Sequence, residues 1–173
     1  RDDRELLVQG FPYFQGLRRL RREAFLANVI ENTRLSRNPA PLEPGKYTVV
    51  LSPSAVEELL MMFLWYNFDA KAIDEGRSAL SKRAGERIAD EAVHIYSRPD
   101  HEKISLFPFC AQDAMPFIGF DMIKDGKLAR PWCSRFYAAQ KGLRPTGRGP
   151  ANVIFKGTDK PAKELIGNVE NGL

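Results

Sequence analysis

The chain has 173 residues, enough to bury roughly 70% of the surface its unfolded form exposes and so to build one sizeable core or two small ones. Hydrophobic residues at 43% and charged residues at 28% exclude a disordered or collagen-like chain. The net charge of +4 is modest, with much of the excess in Arg18, Arg19, Arg21 and Arg22 on one candidate helix, so nucleic acid is not the expected partner. No run of eighteen apolar residues occurs, the longest candidate being Leu59 to Tyr66, so no membrane span or membrane partner is expected. Cys110 and Cys133 are the two cysteines, without CxxC spacing, which suits a reducing compartment, and no signal peptide is evident; a cytoplasmic location is the expectation. The chain begins at Arg1 without methionine and reads as part of a longer protein.

From Gln15 to Arg37, apolar Leu17, Leu20, Ala24, Ala27, Ile30 and Leu35 recur at steps of three to five, with arginines between them. This predicts a long amphipathic helix and makes residues 1–38 a helical N-terminal segment. Asn38-Pro-Ala-Pro-Leu-Glu-Pro-Gly45 packs three prolines and a glycine into eight residues, which no helix interior tolerates, so it is a linker or the entry to a domain over 39–173. Tyr47-Thr-Val-Val-Leu51 is β-branched and apolar, which predicts a strand. Ser52 and Pro53 then supply an N-cap and a first helical residue for a helix through about Phe68, with Val56, Leu59, Leu60 and Phe63 as its buried stripe. A second helix is expected from about Lys71 to Ala84, and a short strand over Val93 to Tyr96.

Phe117 to Lys124 and Lys127 to Trp132 flank Asp125-Gly126, whose readiness for positive φ marks a two-residue hairpin turn. Ser134 to Lys141 reads as a helix ended by Gly142, Arg144 to Pro150 as a loop, and Asn152 to Lys156 as a strand. A last helix spans roughly Pro161 to Asn171, stopped by Gly172. The mixture of helices with a hairpin predicts an α+β fold, a mixed or antiparallel sheet with packed helices.

Side chains able to carry chemistry are few. His94 and His101 stand seven apart on a strand and a loop, neither helix-face nor Cys/His spacing for zinc; His94 reads as structural, and Asp100-His101-Glu102 as a solvated loop. Cys133 follows Trp132 at the end of a hairpin strand and reads as a small buried apolar residue, and a nucleophilic Cys110 or Cys133 would need a base beside it. Ser52 and Ser54 precede no Gly-x-Ser-x-Gly elbow and read as capping residues. Lys141 to Gly149 has the glycine and basic content of an anion-binding loop but fits neither the P-loop nor the dinucleotide fingerprint, so an ordinary connector is the reading. Met61 and Met62 could bind soft Cu(I), but core packing is the expectation, and no cofactor is expected.

Several segments in order carry a resemblance. They are Pro44-Gly-Lys-Tyr-Thr-Val-Val-Leu-Ser-Pro-Ser-Ala-Val-Glu-Glu-Leu-Leu60, Glu75-Gly-Arg-Ser78 and Gly85-Glu-Arg-Ile88. Ile123-Lys-Asp-Gly-Lys-Leu128, Arg135-Phe-Tyr-Ala-Ala-Gln-Lys-Gly-Leu143 and Thr146-Gly-Arg148 follow. Together they resemble the TldD/PmbA family, once called modulators of DNA gyrase, from about Ala27 to Leu173.

In that family's catalytic members the helix after the Val-Val-Leu strand carries His-Glu-x-x-x-His, supplying zinc ligands and a general base. The resemblance puts Met61 at the first histidine, Met62 at the glutamate and Tyr66 at the second histidine. Thioethers and a phenol of pKa about 10 hold Zn²⁺ poorly at neutral pH, and Met62 has no proton-accepting group. The resemblance is therefore to the PmbA (TldE) branch, and it implies a non-catalytic subunit, with no metal or catalytic residue of its own. The implied partners are a zinc-bearing TldD-like subunit, or a second copy as a dimer, and unfolded or small precursor peptides as substrate. The alternatives are a tailoring enzyme of a biosynthetic pathway with another activity, or a nucleic-acid or gyrase-associated module. One departure is Phe109-Cys-Ala-Gln-Asp-Ala114, where the family usually has an acidic Phe-Asp-x-Glu-Gly turn.

Overall fold

A computed structural model describes residues 21–39, 41–102, 109, 114–147, 149, 152–169 and 172. The chain divides into two compact units, Arg1–Lys46 and Tyr47–Leu173. In the first, α1 runs from Arg22 to Leu35, and the earlier part of the expected helix, Gln15 to Leu20, lies outside the described residues. None of its residues is buried, and Leu26, Ile30 and Leu35 of the expected apolar stripe are exposed. Phe25, Val29 and Thr33, one i, i+4, i+8 row, are half-buried instead. Local bonds support the helix: Arg34 donates to both Glu31 carboxylate oxygens at 2.8 and 2.9 Å, and Thr33 Oγ1 donates to the Val29 carbonyl at 2.8 Å.

The second unit begins with a correction. Tyr47 to Leu51 forms no strand; Thr48 makes an isolated parallel bridge to Gly172, and Val49 and Leu51 are exposed. β-branched residues favour a strand only where a neighbour offers a ladder, and among the described residues none runs beside this segment. The helix that follows, α2 (Pro53–Asn67), starts where expected: Ser52 is extended, its Oγ accepts from the Ala55 N–H at 3.3 Å, and Pro53 fills the first turn. Its buried row is the expected one only in part. Leu64 and the C-capping Phe68 are fully buried and Val56 and Leu60 half-buried, whereas Leu59 and Phe63 face outward. Eight consecutive apolar residues, Leu59 to Tyr66, carry no periodicity, so local pattern cannot choose between adjacent i, i+4 rows.

α3 is short, Ala70–Asp74, capped by the Asp69 side chain, which accepts from the Lys71 N–H at 3.0 Å. It does not reach Ala84, because Gly76 takes a φ of +74° and the chain turns back on the end of α2. There Ser78 Oγ donates to the Asn67 carbonyl at 2.7 Å, and the Asn67 side chain accepts from the Ala79 N–H at 3.0 Å.

Four strands follow: β1 (His94–Ser97), β2 (Phe120–Lys124), β3 (Lys127–Leu128) and β4 (Val153–Lys156). They form one sheet in the order β3-β2-β1-β4, every neighbouring pair antiparallel. The hairpin turn is the expected one, with Asp125 at φ +50° and Gly126 at φ +71°. A bulge in the β1–β2 pairing, between Ile95 and Tyr96, lets Met122 and Ile123 both point inward. With Leu64, Phe68, Leu80, Ile95, Phe120, Leu128 and Trp132 they make the core, so α2 packs its Leu64 row on one face of the sheet.

α4 (Arg135–Lys141) has both expected ends: Ser134 Oγ accepts from the Tyr137 N–H at 3.3 Å, and Gly142 stops it at φ +65°. α5 covers Ala162–Gly167, shorter than expected and with no buried residue. The arrangement is the α+β fold with an antiparallel sheet and packed helices read from the sequence.

Thr146 ties the loop after α4 to the end of the hairpin. Its buried Oγ1 accepts from the Cys133 N–H at 2.8 Å, and its own N–H donates to the Cys133 carbonyl at 3.0 Å. Thr146→Val keeps the shape but leaves the Cys133 N–H without an acceptor, so a loss of about 1–3 kcal/mol in urea unfolding is expected. An unchanged midpoint would mean that another group takes over that bond.

Candidate functional site

The outward face of α2 holds the three motif positions. Met61, Met62 and Tyr66 are 37%, 55% and 66% exposed, with Leu59 and Trp65 open beside them. The expectation that Met61 and Met62 pack in the core is corrected: the core takes the Leu60–Leu64–Phe68 row, and the methionines lie off it. Two thioethers and a phenol do not fit zinc in donor type. Among the described residues, no group of three or more His, Cys, Asp and Glu side chains is placed to hold a metal ion.

Two polar clusters lie elsewhere, and sequence patterning had singled out only one of their members. On the outer face of β1, His94 Nε2 lies 3.1 Å from Asp121 Oδ1, and Arg98 Nη2 donates to the same oxygen at 3.2 Å. The Tyr96 ring sits between them, 4.8 Å from the His94 ring and 5.0 Å from the Arg98 guanidinium carbon. His94 thus joins β1 to β2 through the Asp121 carboxylate. Partial burial works against ionisation of Asp121, but the hydrogen bond from His94 and the charge of Arg98 outweigh it and hold the carboxyl below its ordinary value. A depressed folded-state pKa contributes stability that is present above the unfolded carboxylate range and is lost as pH falls through the folded value. Asp121→Asn is therefore expected to flatten the acid limb of the stability–pH curve below about pH 4. Thermal melts of both proteins across that range would show it, and an unaltered limb would remove Asp121 from the account.

The second cluster joins α3 to α4. Tyr137 Oη donates to Asp74 Oδ2 at 2.5 Å, and Lys141 Nζ lies 3.3 Å from the same oxygen. The Tyr137 bond, then Lys141, holds the Asp74 carboxyl below its usual value, and the same bond raises the Tyr137 phenol. A phenol held protonated by a carboxylate is a staple, not a base.

The remaining candidates resolve as packing. Cys133 is buried, burial pushes its thiol up, and it is no activated nucleophile; Cys110 lies outside the described residues. His101 sits in the turn after β1, its N–H donating to the Arg98 carbonyl at 3.2 Å. In the glycine-rich loop, a Cβ on Gly147 would meet the Phe117 ring at 3.0 Å, and one on Gly149 the Trp65 ring at 3.0 Å. These glycines let aromatic rings approach the backbone; Arg148 and Pro150 lie outside the described residues.

A family described as the PmbA/TldA metallopeptidase C-terminal domain matches residues 44–173. A curated protein of Methanothermobacter thermautotrophicus named "Metalloprotease" is 25% identical over 150 residues, covering 80% of this chain and 32% of that one. A crystal structure from Thermotoga maritima, described as a putative modulator of a DNA gyrase, superposes with a TM-score of 0.75 at 23% identity, over 87% of this chain and 36% of that one. TldE from Thermococcus kodakarensis superposes with a TM-score of 0.72 at 18% identity, over 87% and 37%. The chain spans about a third of the length of these relatives. No helix among the described residues is long and apolar enough to cross a membrane.

Proposed function

Because the chain belongs to the PmbA/TldA metallopeptidase family, whose C-terminal domain it carries over residues 44–173, we propose that it acts as a non-catalytic, TldE-like subunit of a TldD-type zinc peptidase. In this reading residues 1–38 are an N-terminal segment and 39–173 belong to the α+β domain. The observation that carries the proposal is the chemistry of α2. Met61, Met62 and Tyr66 stand where catalytic relatives are expected to have two zinc ligands and a general base, and their donor types do not suit a metal. Metal-assisted hydrolysis needs an open-sided metal with a base beside it, and this helix offers neither.

What α2 offers instead is an apolar outward surface, with Leu59, Met62, Trp65 and Tyr66 all more than half exposed. Such a surface supports a docking role toward a zinc-bearing TldD-like subunit, or toward a second copy, around an unfolded or small precursor peptide in the cytoplasm. Flexible methionines adapt to varied partners more readily than branched side chains do. Metal analysis of the purified protein is expected to find zinc well below one equivalent, and stoichiometric zinc that survives dialysis would overturn the reading.

A further inference from the structure

The sheet register brings Lys124, Lys127 and Lys156 into one row with His94, residues that the linear sequence keeps apart. Lys127 on β3 is directly opposite Lys124 on β2, and His94 on β1 is directly opposite Lys156 on β4. One step along the register that pairs Ile95 with Ile123 brings Lys124 beside His94. Ile95, Ile123 and Leu128 point into the core, so their neighbours His94, Lys124 and Lys127 point to the opposite face. The row Lys127, Lys124, His94, Lys156 therefore crosses all four strands, with neighbours about 4.8 Å apart and a total span of about 14 Å.

Like charges directly across a strand pair destabilise a sheet. Lys156, on the edge strand β4, has an ordinary role in discouraging edge-to-edge pairing, whereas β3 is bonded on its outer side to residues 85–88. Lys124, on an inner strand, has no such role. Asp121, the acid paired with Tyr96 across β1 and β2, is already shared by His94 and Arg98. Among the described residues no side-chain hydrogen bond or ion pair engages Lys124, Lys127 or Lys156. Local violations of this kind are expected where a surface serves a partner.

We propose that the outer face of the sheet is a docking surface for an acidic polypeptide segment, whose carboxylates meet Lys127, Lys124 and Lys156. Charge complementarity selects the class of partner. Of the guanidinium groups nearby, Arg98 donates to the Ser97 carbonyl and Asp121, and the exposed Arg87 donates one N–H to the Asp125 carbonyl at 3.3 Å. The Tyr96 ring is flanked by His94 and Arg98. No open aromatic platform is present on this row, and single-stranded nucleic acid relies on stacking on such rings. Lysine ammonium groups, acting as point charges, suit spaced carboxylates.

The test is fluorescence anisotropy of a labelled peptide of alternating glutamate and alanine against the purified full chain. Binding is expected to weaken with added salt and to fall about tenfold for Lys124→Glu and for Lys156→Glu, while Lys163→Glu on α5, an equal change of net charge, leaves it unaltered. Circular dichroism checks the fold of each variant, and Lys124→Ala gives the same direction of effect with less perturbation. No binding, an equal loss in all three glutamate variants, or preference for an equally charged single-stranded oligonucleotide through the same lysines would overturn the proposal.

Discussion

Gly126→Ala is expected to destabilise the protein by about 3 kcal/mol or more, measured as a shift in denaturant midpoint at unchanged slope. Gly126 holds φ +71° in the β2–β3 turn, a conformation costing an L-residue about 1 kcal/mol. Space adds the larger part. A Cβ there would collide with the backbone carbonyl oxygens of Ala89 and Asp90, which cannot move as a flexible side chain can. The same crossing is fixed by three backbone bonds: the Gly126 carbonyl accepts from Ile88 at 2.8 Å and Ala89 at 3.1 Å, and its N–H donates to Val93 at 2.9 Å. Moving the segment strains bonds worth about 0.5–1.5 kcal/mol each. Gly76→Ala isolates the backbone share, since Gly76 has a similar φ of +74° with nothing within 4 Å of the added carbon. A Gly126→Ala loss no larger than that of Gly76→Ala would show that the 89–90 segment yields freely.

Phe68→Ala is expected to cost about 3–5 kcal/mol, because it empties a fully buried ring position at the end of α2. Phe68 packs edge-on to Phe63 at 5.8 Å, and its carbonyl accepts from the Trp132 N–H at 2.9 Å, joining helix to hairpin. Met62→Ala and Tyr66→Ala, on the outward side of the same helix, are expected to stay within about 0.5 kcal/mol. That contrast separates the side of α2 that holds the fold from the side assigned to a partner. A cost above about 2 kcal/mol for Met62→Ala or Tyr66→Ala would place those side chains in the folding core instead.

The parts of this fold that were legible in the sequence are those fixed by local chemistry. Ser52-Pro53, Asp125-Gly126 and the Ser134 to Gly142 pair act through their own backbone angles and hydrogen bonds, and each ended or turned its element where expected. What depends on a distant partner was not legible. Tyr47 to Leu51 has strand composition but no ladder beside it. The Leu59 to Tyr66 run is apolar at every position, so the choice of its buried row came from the sheet it meets. The helix expected to Ala84 ended early because Gly76 and the Ser78–Asn67 bond turn the chain. Of the candidate site, the motif positions Met61, Met62 and Tyr66 were legible through family resemblance, while their exposure on α2 needed the structure. The lysine row needed the strand register, which a single residue of slip would have reversed.

The central claim is that this protein lacks a hydrolytic centre and serves a zinc-bearing partner. The most direct test is peptidase activity on an unfolded peptide, with metal content, for the purified full-length protein alone and then mixed with a zinc-bearing TldD-type subunit from the same source. The account predicts no hydrolysis alone, chelator-sensitive hydrolysis in the mixture, and zinc confined to the partner. Stoichiometric zinc and chelator-sensitive hydrolysis by this protein alone would contradict it.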